Sequence, residues 1–198
     1  PSLKDLQGEI KRVASLAFDS PHHFRSASPR IASSSEIGDY AAAATSEAIS
    51  SMAAANALCL AIHRDFTYDS KATDVDTTPA DAFSLRKGVC QDFAQVMIAG
   101  LRAIGIPASY VSGFLRTNPP PGKPRLEGAD AMHAWVSAWC GSKLGWIEFD
   151  PTNAVLVGAD HISIARGRDY ADVSPIVGVL RTHGSHRTSQ SVDVIPLE

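Results

Sequence analysis

The stretch KGVCQDFAQVMIAGLRAIGIPASYVSGFL, residues 87–115, decides how this chain folds. Lys87-Gly88-Val89 breaks the helix that precedes it. From Cys90 to Ile104, the residues Phe93, Met97, Leu101 and Ile104 recur at helical spacing, and Val96 and Ile98 widen the apolar surface. A helix that is apolar around much of its circumference is buried on several sides. The segment therefore predicts a central helix with Cys90 in its first turn. Gly105-Ile106-Pro107 stops it, since proline lacks the N–H a helix needs and restricts the residue before it. Beyond Pro107 the apolar period changes to that of strands, beginning with Ala108 to Arg116.

Working towards the C-terminus, Met132 to Cys140, Leu144 to Asp150, His161 to Ala165, Val177 to Arg181 and Ser191 to Ile195 are further short β-type runs between turn residues. Residues 118–128 (NPPPGKPRLEG) hold too much proline to join a sheet and read as a solvent loop, with a lid as the rival reading. Working towards the N-terminus, residues 79–86 predict a short helix, with Thr78 as N-cap and Pro79 at its first position. Asp65 to Pro79 is a polar loop. Glu36 to Phe66 is free of proline, and of glycine after Gly38. Ten of the 21 residues from Ala41 to Ala61 are alanine, so the whole span predicts helix. Residues 19–35 read as loop, and Leu3, Leu6, Ile10, Val13 and Ala17 as a short amphipathic helix. Helices first and antiparallel strands after them give an α+β fold, one long helix packed on a sheet.

The chain has 198 residues, 44% hydrophobic and 20% charged, which suits a single well-cored domain. A net charge of −3 supplies no broad basic field, so neither nucleic acid nor an anionic membrane surface is expected as a partner. No run reaches the roughly 20 apolar residues of a membrane helix. Cys59, Cys90 and Cys140 are odd in number and widely spaced, which argues for free thiols in a reducing, cytoplasmic setting. The chain starts at Pro1 without a signal-like segment, and Leu197-Glu198 reads as a tag remnant or as the native end.

Cys90 stands where unpaired N–H groups and the helix dipole favour a thiolate, and where those N–H groups could hold an oxyanion. On position alone a small buried hydrophobe is the stronger reading. The hairpin supplies a second observation. With its turn centred at Gly141-Ser142, His133 falls opposite Asp150, Trp135 opposite Glu148 and Ser137 opposite Trp146. An exposed cross-strand ion pair is the plain alternative. Ala134, Val136, Ile147 and Phe149 alternate onto the other face and suit a core. A slip of one residue would turn Asp150 away from His133. Cys90, His133 and Asp150 together make a nucleophile, a proton carrier and a group that orients it.

The segments GVCQDFAQ (88–95), LRAIGIPASYVSGFL (101–115), MHAWVSAW (132–139), GWIEFDPTN (145–153) and ARGRDYADVSPIVGV (165–179) run in order. With them the chain resembles the bacterial transglutaminase-like superfamily, within the papain-like cysteine enzymes. The resemblance implies Cys90 as nucleophile, His133 as base and Asp150 as third member. It also implies a nucleophile at the tip of a buried helix against an antiparallel sheet, with residues 167–175 as a structural loop near the site. Relatives often carry a β-rich domain upstream. Residues 1–35 are thus expected to be a linker or the end of such a domain and 36–196 the catalytic domain, with 197–198 left as a tag scar or the native end. Gln95 stands where relatives often have His. The Cys90 N–H is the candidate oxyanion donor, with Gln91 beside it, and Trp135 is a candidate groove wall.

The expected chemistry is acyl transfer on a peptide or amide substrate through a thioester, hydrolytic in outcome. An amine acceptor (transglutaminase), a silent peptide-binding module and a redox-sensing thiol are the alternatives. No CxxC, HExxH or EF-hand pattern occurs, so no metal or other cofactor is expected. The residues do not set an oligomeric state.

Overall fold

A computed structural model of the chain describes residues 1–117, 130–175, 178–179, 181, 183–185 and 191–196. Most of its helices begin where a short polar side chain caps them. Ser2 starts α1 (Leu3–Arg12), Ser34 starts α2 (Ser35–Ala44) and Ser50 starts α3 (Ser51–Asp65). Thr78 starts α4 (Pro79–Leu85), as its sequence predicts. The alanine-rich span is two helices rather than one. The Thr45 hydroxyl donates to the Ala41 carbonyl (2.8 Å), and five residues later Ser50 accepts from the Ala53 N–H. Serine and threonine hydroxyls that bond to nearby backbone end and restart helices that alanine propensity alone would continue.

The central helix α5 (Cys90–Ala103) forms as its pattern requires, with Phe93 to Leu101 buried without a break. Phe93, Val96, Met97 and Leu101 share a core with Leu58 and Ile62 of α3 and with Ala134, Val136 and Phe149 of the sheet. Leu6, Ile10 and Ile31 from the first 35 residues are buried in the same core.

Five antiparallel strands follow α5 in the order β6-β5-β4-β3-β7. They are β3 (Ala108–Leu115), β4 (Ala131–Trp139), β5 (Trp146–Asp150), β6 (Val155–Leu156) and β7 (His161–Gly167). A parallel pair, β1 (Thr67–Tyr68) with β2 (Lys87–Gly88), lies just before α5, and a four-residue helix α6 (Tyr170–Val173) follows β7. Ser191 to Ile195 forms no strand, although Asp130 N–H donates to the Val192 carbonyl there (3.1 Å). Gly178, Val179 and Arg181 are not in a strand either. The rest of the run from Val177 to Arg181, the 118–128 loop and residues 197–198 lie outside the described residues.

The hairpin register differs from the simple reflection by two residues. Val136 pairs with Phe149, Ser137 with Glu148 and Trp139 with Trp146. The connection runs from Cys140 to Gly145, closed by Gly145 N–H to the Gly141 carbonyl (2.7 Å) and Cys140 N–H to the Gly145 carbonyl (2.8 Å). Gly141 (φ 103°) and Gly145 (φ 68°) supply left-handed backbone at both ends. A two-residue offset preserves the face on which every side chain lies. His133 and Asp150 therefore share a face as diagonal neighbours instead of a directly opposed pair.

The sheet curls. Five residue steps from Leu156 to His161 span at most about 18 Å, whereas four interstrand spacings of a flat sheet cover about 19 Å. The chain nevertheless crosses between the two edge strands in those steps, so β6 and the start of β7 are drawn towards each other at the end of the sheet that carries Asp150.

Candidate active site

Cys90 is the first residue of α5 and is half-buried. The Asp92 carboxylate reaches back to accept from the Val89 N–H (2.8 Å) and from the Thr73 hydroxyl (2.6 Å), which fixes the entry to the helix and ties the 69–78 loop to it. Gly88 makes room for this: a Cβ there would stand 2.8 Å from Asp92 Cβ. The first-turn N–H groups of Cys90 and Gln91 have no intrahelical acceptors. The Gln91 side-chain amide donates to the Val75 carbonyl (3.2 Å), so it holds the same loop.

His133 on β4 carries a side chain only 9% exposed, and Asp150 at the end of β5 is fully buried. Nε2 of His133 lies 2.8 Å from Asp150 Oδ2. Burial is the largest influence on the imidazole and pushes its pKa down. The Asp150 bond, a hydrogen-bonding interaction with Cys90 and the charges of both groups outweigh it and raise the pKa to about 9. The bond to Asp150 occupies Nε2, which leaves Nδ1 as the ring nitrogen that Asp150 does not engage. Burial alone would raise the Asp150 pKa, but its bonds to His133, His161 and Asn153, with the His133 charge, hold it well below the usual carboxylate range. The structure thus pairs His133 with Asp150, and Cys90 at the tip of α5 is near enough to raise the imidazole's pKa.

The other two cysteines differ. Burial pushes the Cys59 thiol up to about 12, with the Asp150 charge adding to it, and pushes Cys140 up to about 11. Both belong to the core.

Trp135 is fully buried, so it presents no surface to an open groove. Its indole N–H donates to Glu148 Oε2 (2.7 Å), and Glu148 Oε1 accepts from Arg166 (2.6 Å). In the 167–175 segment, buried Asp169 accepts from the Arg30 and Ala171 N–H groups (2.7 and 2.8 Å) and joins the N-terminal segment to α6.

Two residues beyond the three surround Asp150. Asn153 donates from Nδ2 to Asp150 Oδ2 (2.7 Å), while the Thr152 and Asn153 backbone N–H groups donate to Oδ1 (2.9 and 3.2 Å). His161 Nε2 lies 3.0 Å from Oδ2. Asn153 follows the carboxylate in an Asp-Pro-Thr-Asn turn, a pattern that local reading can find. His161 could not be found that way, because only the curl of the sheet brings β7 to Asp150. Ligand-type atoms of His133, Asp150 and His161 lie within 4.8 Å of one another, the only such cluster of three among the described residues. They already bond to each other across Asp150 Oδ2, so an ion would have to displace those protons.

A family model for the transglutaminase-like superfamily matches residues 38–151. An uncharacterized protein of Mycobacterium tuberculosis is 49% identical over 141 residues, 69% of this chain and 45% of that protein. A protein-glutamine gamma-glutamyltransferase of Pseudomonas aeruginosa is 38% identical over 97 residues, 47% of this chain and 14% of that protein. A solved structure of a cysteine protease candidate from Cytophaga hutchinsonii superposes with a TM-score of 0.65 at 29% identity, covering 85% of this chain and 54% of that one. The chain therefore spans less than half the length of the mycobacterial relative. Its α+β architecture, a central helix on an antiparallel sheet, is that of the transglutaminase-like and papain-like cysteine proteins.

Proposed function

The chain belongs to the transglutaminase-like superfamily, and on that premise we propose that it is a cysteine-dependent acyl-transfer enzyme acting on amide substrates through a thioester on Cys90. One observation carries the reading. The buried His133 imidazole is bonded to a fully buried carboxylate at 2.8 Å, and its pKa is raised further by the half-buried Cys90 thiol at a helix N-terminus.

In the proposed reaction the Cys90 sulfur, its proton held by His133, attacks the substrate carbonyl carbon and forms a C–S bond. The resulting oxyanion is held by first-turn N–H groups, that of Cys90 foremost. Collapse breaks the C–N bond, and the departing amine takes the proton from His133. His133 then removes a proton from water. The hydroxide attacks the thioester, the C–S bond breaks, and a carboxylic acid leaves. Asp150 keeps the imidazole oriented and stabilises its positive charge throughout. The three free cysteines favour a reducing, cytoplasmic setting. No helix among the described residues is long and apolar enough to cross a membrane.

The P. aeruginosa relative, named for gamma-glutamyl transfer from protein glutamine, favours an amine acceptor as the second reading. Mass spectrometry of glutamine-containing and other peptides, with and without added amine, separates the two. Hydrolysis yields products that have gained water and ignore the amine, whereas transfer yields peptides that carry it. A silent binding module gives neither, and that result, with iodoacetamide labelling of Cys90 unaffected by His133→Gln, would overturn the proposal.

A further inference from the structure

Asp150 is shared by two imidazoles, and only one of them serves the thiol. His161 Nε2, on β7, lies 3.0 Å from Asp150 Oδ2, and its side chain is 6% exposed. A carboxylate held ionised can only accept, so Nε2 of His161 carries the proton of this bond. Its Nδ1 is buried with no hydrogen-bond partner among the described residues, which makes it the bare nitrogen of the ring. The ring stands edge-on to Trp135, with centroids 5.2 Å apart and planes at 79°. Trp135 is in turn held by Glu148, and Glu148 by Arg166. Oδ2 thus receives three donors, from His133, His161 and Asn153, at 2.7 to 3.0 Å.

We propose that His161 is a positioning residue for the Cys90–His133 pair: it donates from Nε2 to Asp150 Oδ2 and so sets how much of the carboxylate's charge His133 feels. The inference rests on the acyl-transfer reading for its purpose, though not for its measurement. A neutral donor draws off part of the charge of the carboxylate it binds. Removing it concentrates that charge on the remaining partners, and the His133 imidazolium is held more tightly. The groups that face His133 are Cys90 from α5, Asp150 from β5, Asn153 from the turn after it and His161 from β7. Glu148 and Arg166 neutralise each other behind Trp135. A residue that only filled space would leave this titration where it was.

The test is a proton–carbon NMR titration of the histidine rings in the whole protein, with His133 assigned from His133→Gln. Wild type should titrate at His133 near pH 9. His161→Phe, which keeps the ring and loses the donor, should move that midpoint upward by about half a unit or more. His161→Gln, which restores an N–H donor, should bring it back. Equal His133 midpoints in wild type and in a folded His161→Phe protein would overturn the proposal. A second measurement needs no variant. Ring nitrogen shifts of His161 should report the proton on Nε2, and a proton on Nδ1 alone would overturn the proposal even if the Phe variant failed to fold. Failure of the function is read separately, as Cys90 labelling indifferent to His133, and leaves the comparison of midpoints to decide the part played by His161.

Discussion

Asp150 has every acceptor direction filled, and this decides how the protein responds to pH. The folded His133 pKa is raised from 6.5 to about 9, so its contribution to stability is full below 6.5 and is lost as pH rises towards 9. The Asp150 pKa is lowered from 3.8, so its contribution is present above 3.8 and is lost as pH falls further. Urea unfolding should accordingly show a plateau between these limits and a fall on the order of 3 kcal/mol from pH 6.5 to 9, absent in His133→Gln. Asp150→Asn exchanges a charge for a dipole at the same place. It should bring the His133 midpoint down towards 6.5, read by NMR, and should lower turnover by roughly 10²- to 10⁴-fold.

At the scale of elements, close approach between strands sets the site. Gly113 on β3 pairs with His133 on β4 and with Ser163 on β7, beside the irregularity between Ser112 and Gly113. A Cβ at Gly113 would stand 2.6 Å from Trp135 Cη2 and would meet the Ile162 backbone carbonyl. Neither can yield, since Trp135 is fully buried and the carbonyl belongs to a paired strand. Gly113→Ala should destabilise the protein by about 1–3 kcal/mol or more by thermal melting, and should broaden the His133 and His161 ring signals. Gly158→Ala, where a Cβ meets nothing within 4 Å, is the control and should melt close to wild type. The hairpin works on the same scale. Its loop can differ by two residues without moving His133 off the face it shares with Asp150, whereas a change of one residue would separate them.

Over the whole molecule, the first 35 residues pack into the same core as α5 and the sheet. Leu6 and Ile10 are fully buried in the core shared by α5 and the sheet. Trp146 donates to the Asp19 carbonyl (2.9 Å), and Arg102 of α5 donates to the Ser26, Ala108 and Arg168 carbonyls, joining that segment to the sheet and to the stretch before α6. Leu6→Ala should cost about 2–5 kcal/mol and lower the urea midpoint. Circular dichroism and tryptophan fluorescence should still report one coincident transition. Two separated transitions would mean that the N-terminal segment folds apart from the site.

The sequence by itself determined most of the elements and the candidate reacting groups. The apolar circumference of residues 90–104, the capping threonine before Pro79 and the alternation in the hairpin are local patterns, and local patterns encode local structure. Cys90, His133 and Asp150 stood out as candidates because a helix tip and one hairpin are local features. The break at Thr45 to Ser50 was hidden by alanine's propensity, and the two-residue register by a turn held open at two glycines with positive φ. Only the tertiary structure decided that His161 bonds Asp150 and that Trp135 is sealed inside. Both depend on how far the sheet curls, which is the sum of twist and packing over five strands and belongs to no single stretch of chain.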